Sequence, residues 1–156
     1  MKKLNLLIGI LIGLTILSCS SNDDNSQLST EDLLIQGSPW TFDHYEVTSI
    51  LDIGNSSYTE IEIESDTNQA LEGGIITFNN DGTGSDFFPN NNGPEFTWNW
   101  EIINNNQLKT VSANGLSNTI NISVTSSQLI TESEEGYTYD EQADYDILHS
   151  GKVFYQ

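Results

Sequence analysis

The chain has 156 residues and a formal net charge of −19, with no arginine and with lysine only at positions 2, 3, 109 and 152. So few bases exclude a nucleic-acid interface, which needs Lys and Arg to neutralise phosphates, and exclude a basic patch for anionic lipids. The length suits one domain with a sizeable core, and a single cysteine allows no internal disulfide.

The N-terminus reads as an export signal: Met1-Lys2-Lys3, an apolar run from Leu4 to Leu17, then Ser18 before Cys19. The run falls short of the roughly 20 apolar residues that a spanning helix needs. Ile16-Leu17-Ser18-Cys19 resembles a bacterial lipobox, which implies cleavage before Cys19 and lipid on that cysteine. Several acyl chains on one residue hold durably, at about 0.8 kcal/mol per buried methylene. Residues 1–18 are then signal peptide, and residues 19–28 are the lipidated cysteine and a polar, flexible tether. Loss of Lys2 and Lys3 with the signal deepens the negative charge by two. The acids just after Cys19 are similar to the surface-export signal of Bacteroidota lipoproteins, while as residues they suit a plain solvated linker equally. The expected location is the outer membrane, lipid-anchored, with cell-surface exposure as its extension.

Residues 29–156 form the domain. Ser29 or Thr30 caps a short helix, Glu31 and Asp32 suit its first turn, and Gly37 ends it. Beyond it the pattern has period two. Phe96, Trp98, Trp100 and Ile102 share one face, with Glu95, Thr97, Asn99 and Glu101 on the other. Thr59 to Glu64 and Thr119 to Val124 alternate in the same way, which predicts half-buried antiparallel strands. Strands are expected near 40–50, 58–64, 74–79, 84–88, 95–103, 107–112, 118–125, 128–133, 137–148 and 152–156. The turns between them carry Asn, Asp, Gly and Ser, so the strands follow as hairpins that close into a barrel or fold into a sandwich.

The order of landmarks narrows this choice. Leu33-Leu34-Ile35-Gln36-Gly37-Ser38-Pro39-Trp40, then Ile76-Thr77-Phe78-Asn79-Asn80-Asp81-Gly82-Thr83-Gly84, then Phe96-Thr97-Trp98 resemble the lipocalin-like domain of many Bacteroidota lipoproteins. Gly37 and Trp40 stand one residue further apart than in that family's Gly-x-Trp, and the likeness fades after about Glu132. The resemblance implies an all-β fold, a small antiparallel up-and-down barrel with a short N-terminal helix. Gly37, Trp40, Phe78, Asp81 and Gly82 are its core motif, and Trp40 plugs one end.

Chemistry-bearing patterns are sparse. His44 and His149 have no nucleophile motif beside them, so the domain is read as no enzyme. Glu60, Glu62 and Glu64 read as a solvated strand face, and Asn79 to Asp86 as a hairpin turn rather than a calcium loop. No cofactor is expected. The one metal with a motive is calcium, in the acidic segment Glu132 to Asp146, with Glu135, Asp140 and Asp144 as its candidate ligands. The aromatic strand offers Phe96, Trp98 and Trp100 to a small apolar ligand. The rival reading is an interaction or scaffold module, recognising a protein or a glycan through Tyr58, Phe87, Phe88 and the segment Tyr137 to Tyr145, with calcium as an aid.

Overall fold

The computed structural model describes residues 28–91 and 94–156. Residues 1–27, on which the expected signal sequence, the lipidation at Cys19 and nearly all of the expected tether fall, lie outside the described residues.

The alternating segments form a closed antiparallel barrel in which each strand pairs with the next and the last returns to the first. The strands are β1 (Trp40–Asp52), β2 (Ile75–Phe78), β3 (Thr83–Phe87), β4 (Phe96–Asn104), β5 (Gln107–Ser112), β6 (Ser117–Val124), β7 (Leu129–Asp140) and β8 (Tyr145–Tyr155). Helix α1 (Thr30–Gly37) precedes them, and helix α2 (Glu60–Leu71) links β1 to β2. Because the chain runs up and down, its connections alternate between two ends. The β2–β3, β4–β5 and β6–β7 turns share one end with α1; the other end, the mouth, carries α2 and the β3–β4, β5–β6 and β7–β8 connections.

Local chemistry fixes α1 at the closed end. Ser29 Oγ accepts from the Asp32 amide, and the Asp32 carboxylate accepts from the Ser29 amide, completing a capping box. The Thr30 hydroxyl donates to the Asn105 carbonyl at 2.7 Å, tying the helix to the β4–β5 turn. Trp40 is fully buried and its indole N–H donates to the Leu34 carbonyl at 2.9 Å. Gly37 lies under that ring, where a Cβ would stand 2.1 Å from Cζ2. In the same core cluster, Phe78 meets Trp98 and Trp100 edge-on, each with ring centroids 5.3 Å apart. Asp81 and Gly82 make the β2–β3 turn. Asp81 Oδ1 accepts from the Thr83 hydroxyl and amide, which hold its carboxyl below the usual range, and Gly82 has φ 79°.

Two segments depart from the sequence pattern. The strand expected at 58–64 is the start of α2. Thr59 Oγ1 accepts from the Glu62 amide while the Glu62 carboxylate accepts from the Thr59 amide, and this second capping box sets a helical turn that outweighs the period-two alternation. Ile63 is buried but Ile61 is 77% exposed, so Glu60, Glu62 and Glu64 do not share a solvated strand face. Glu64 instead accepts from the Val47 amide at 2.9 Å. The strands expected at 128–133, 137–148 and 152–156 are two long ones, β7 and β8, with a register shift between Ser133 and Gly136.

Helix α2 also completes the wall. β1 pairs with β2 only at Trp40↔Ile76 and Thr41↔Ile75. Farther along, the free edge of β1 is met by side chains of α2: Asn68 accepts from the Tyr45 amide at 2.8 Å and donates to the Tyr45 carbonyl at 3.2 Å, beside the Glu64 contact. These bonds satisfy backbone groups that a paired strand would otherwise satisfy. Among the described residues no helix is long and apolar enough to cross a membrane.

Candidate functional site

The inner wall of β4 is graded in depth. Trp100 is buried and donates its indole N–H to the Thr83 carbonyl at 2.9 Å; Trp98 is half-buried; Phe96, nearest the mouth, is 61% exposed. All three alternate onto the face that meets the core. The barrel is therefore packed around Trp40, Phe78 and Trp100, and its inner aromatic face becomes accessible where β4 begins. Across from Trp98 in the register is Gly84, where a Cβ would lie 2.1 Å from the Trp98 ring, so the indole lies flat on the β3 wall.

Two residues beyond Gly84, on the same inner face, stands Asp86, opposite Phe96 on one side and Ile76 on the other. It is half-buried. Burial pushes its carboxyl above the usual carboxylate range and nearby Glu95 adds to the rise, while a hydrogen bond from Trp98 opposes it. Tyr155, deep in the core, is raised first by its own burial and then by Asp86.

Elsewhere on the inner wall is a polar cluster that sequence spacing does not reveal, because its members lie far apart in the chain. His149 is buried, with Nδ1 2.8 Å from the Tyr45 hydroxyl and Nε2 3.0 Å from Thr138 Oγ1. A neutral imidazole accepting from Tyr45 and donating to Thr138 satisfies both ring nitrogens. Burial, with Glu64 nearby, pushes the Tyr45 hydroxyl up to about 12. Burial also lowers the His149 pKa. The unfolded chain then binds more protons than the folded one, so the stability tied to neutral His149 is complete above about pH 6.5 and falls as pH drops below it. Urea midpoints at pH 7.5 and 5.5 are expected to show this loss in the wild type and to show less of it in His149→Gln. An equal loss in both would remove His149 as its source.

The calcium candidates do not converge. Asp140 turns inward and accepts from the Ser56 hydroxyl at 2.6 Å and from the amides of Gln142 and Ala143, which hold its carboxyl below the usual range. Asp144 accepts from the Tyr139 hydroxyl, and Glu135 is exposed. Among the described residues no group of three or more His, Cys, Asp or Glu is placed to hold a metal. The acids of this segment belong to an ordered β7–β8 hairpin whose turn Asp140 caps.

The outer aromatics are dispersed too. Tyr58 and Tyr145 pack against the core, and Phe88 lies over Gly74. Phe87 is exposed on β3, while Tyr137 and Tyr139, 65% and 52% exposed, lie on β7, a strand that does not neighbour β3. His44 is on the outside, stacked on Phe154 at 4.2 Å between Asp43 and Glu46. β6 and β7 pair only from Asn121↔Glu132 to Val124↔Leu129, and where they diverge a cleft of about 540 Å³ opens. Its lining of Asn118, Asn121, Glu132, Glu134 and Glu135 makes it too polar for an apolar guest. The mouth, with Phe96, Trp98 and Asp86, is the place in the barrel where inward aromatic surface meets solvent. No family model, curated protein or solved structure matches the chain, so the functional reading rests on the geometry of this mouth.

Proposed function

We propose that the protein is a cell-envelope lipoprotein, anchored to the outer membrane through Cys19, whose non-catalytic, lipocalin-like barrel binds a small, mainly apolar ligand in its mouth. The carrying observation is the inner face of β4, where Trp98 and Phe96 point into the barrel yet remain accessible. Accessible aromatic surface on an inner wall is the kind of lining an apolar ligand site uses. Trp100, at the foot of that wall, is the floor of the site: its ring is buried against Phe78.

Titrating residues 28–156 with the neutral apolar dye diphenylhexatriene is expected to give saturable fluorescence that Trp98→Ala and Phe96→Ala both weaken. Tyr137→Ser on the outer face should leave it unchanged. Absence of saturable binding would remove this reading. The alternative, a scaffold module displayed to a protein or glycan, draws on exposed Tyr137 and Tyr139, and would gain if those two residues proved essential where the mouth did not.

A further inference from the structure

Asp86 is an acid in an unusual position. It faces inward, half-buried, between Phe96 and Ile76, with Trp98 beside it. Carboxylates that lose water are ordinarily compensated by a cation or by several hydrogen-bond donors. Here the chain offers little of either. Among the described residues the lysines are Lys109, which pairs with Glu101 at 2.6 Å, and Lys152, which pairs with Glu132 at 3.4 Å. Glu101 and Glu132 are on the outer face, so neither lysine neutralises the lumen. His44 is outside, and both nitrogens of His149 are engaged with Tyr45 and Thr138. Asp86 has the Trp98 indole nearby and, among the described residues, no positive charge.

We propose that Asp86 receives the positive end of the ligand, so that the mouth selects an apolar amine, a long-chain or aromatic ammonium, over neutral or anionic molecules of the same size. This inference deepens the mouth-binding reading and rests on it. The ammonium would donate to the carboxylate, a charge-assisted bond stronger than a neutral one. Its alkyl or aryl body would lie along Trp98 and Phe96, whose ring faces also attract a cation. The raised Asp86 carboxyl is in keeping with a site lacking its counter-charge.

Three probes of equal chain length separate the possibilities: dodecylammonium, dodecanol and dodecanoate, each below its micellar concentration, read by tryptophan fluorescence on residues 28–156. These residues contain all eight paired strands and the whole core cluster, and so form a self-sufficient fold. Dodecylammonium is expected to bind about tenfold tighter than dodecanol, the size of one charge-assisted hydrogen bond, and dodecanoate weakest. Asp86→Asn keeps an acceptor for the indole, and is expected to reduce ammonium affinity about tenfold with dodecanol changed less than about twofold. Exposed Glu72→Gln is the control for attraction by overall charge and should change neither. Equal affinities in the wild type, no effect of Asp86→Asn, or the same loss in Glu72→Gln would overturn the assignment while leaving an apolar site intact. Failure of all three probes would overturn the site itself.

Discussion

Trp40→Ala is expected to lower the free energy of unfolding by about 3–5 kcal/mol, the range for deleting a large buried aromatic. Three separate losses meet at this one residue. Its ring is buried and closes the base of the barrel. Its indole N–H satisfies the Leu34 carbonyl near the C-terminus of α1, where a helix has no carbonyl partners of its own. Gly37 lies directly beneath the ring, so alanine at position 40 leaves a void that the helix cannot fill without moving. Chemical denaturation would read the loss, and proteolysis should find α1 cleavable well before the barrel. A loss under about 1 kcal/mol would mean that the plug contributes little, and that the closed end is held by Leu34, Phe78 and the bond from Thr30 to Asn105.

Gly151→Ala is the second large effect, about 3 kcal/mol, combining overpacking with disruption of a buried hydrogen bond. A Cβ on Gly151 would stand 2.0 Å from the Tyr45 hydroxyl oxygen and 2.5 Å from the Glu46 carbonyl. The side chain could swing aside, but the β1 backbone cannot, since β1 is paired to β8 along most of its length. Moving Tyr45 strands His149 Nδ1 in the interior. A double variant tests this mechanism further. In Tyr45→Val the clash with the ring is already gone, so adding Gly151→Ala should leave a protein at least about 1 kcal/mol more stable than the two single losses added together. Strict additivity would show that Gly151 matters for its backbone alone.

Legibility in the sequence tracks how local the determining interaction is. β4 is readable because Phe96, Trp98 and Trp100 alternate without interruption, and the β2–β3 turn because Asp81, Gly82 and Thr83 carry their own hydrogen bonds. The barrel follows from hairpins in series. Helix α2 escapes the period-two reading for a physical reason. Its start is marked locally by Thr59 with Glu62 three residues on, but Ile61 and Ile63 between acids mimic a strand. Two isoleucines two residues apart fit either element over so short a stretch. The Thr59–Glu62 capping box decides between them together with the tertiary docking of Ile63, Asn68 and Glu64 on the edge of β1.

The candidate site is half legible. Its aromatic members stand out, but Trp100 is floor rather than lining, and Asp86 is hidden among the many acids of the chain. Its distinction comes from pairing partners on β2 and β4, which no local pattern encodes. The same holds for His149, whose partner Tyr45 is 104 residues away.

The position of α1 at the closed end sets a direction for the whole molecule. The chain enters the barrel beside Trp40, on the side opposite α2 and the mouth. With the lipid proposed at Cys19, attachment would be on the α1 side of the barrel, and Phe96 stands at the opposite end. Guests would then arrive from the aqueous side without passing the anchoring surface. Any pull from the N-terminal side would load the Ser29 capping box and the bond from Thr30 to Asn105 before the one between Trp40 and Leu34.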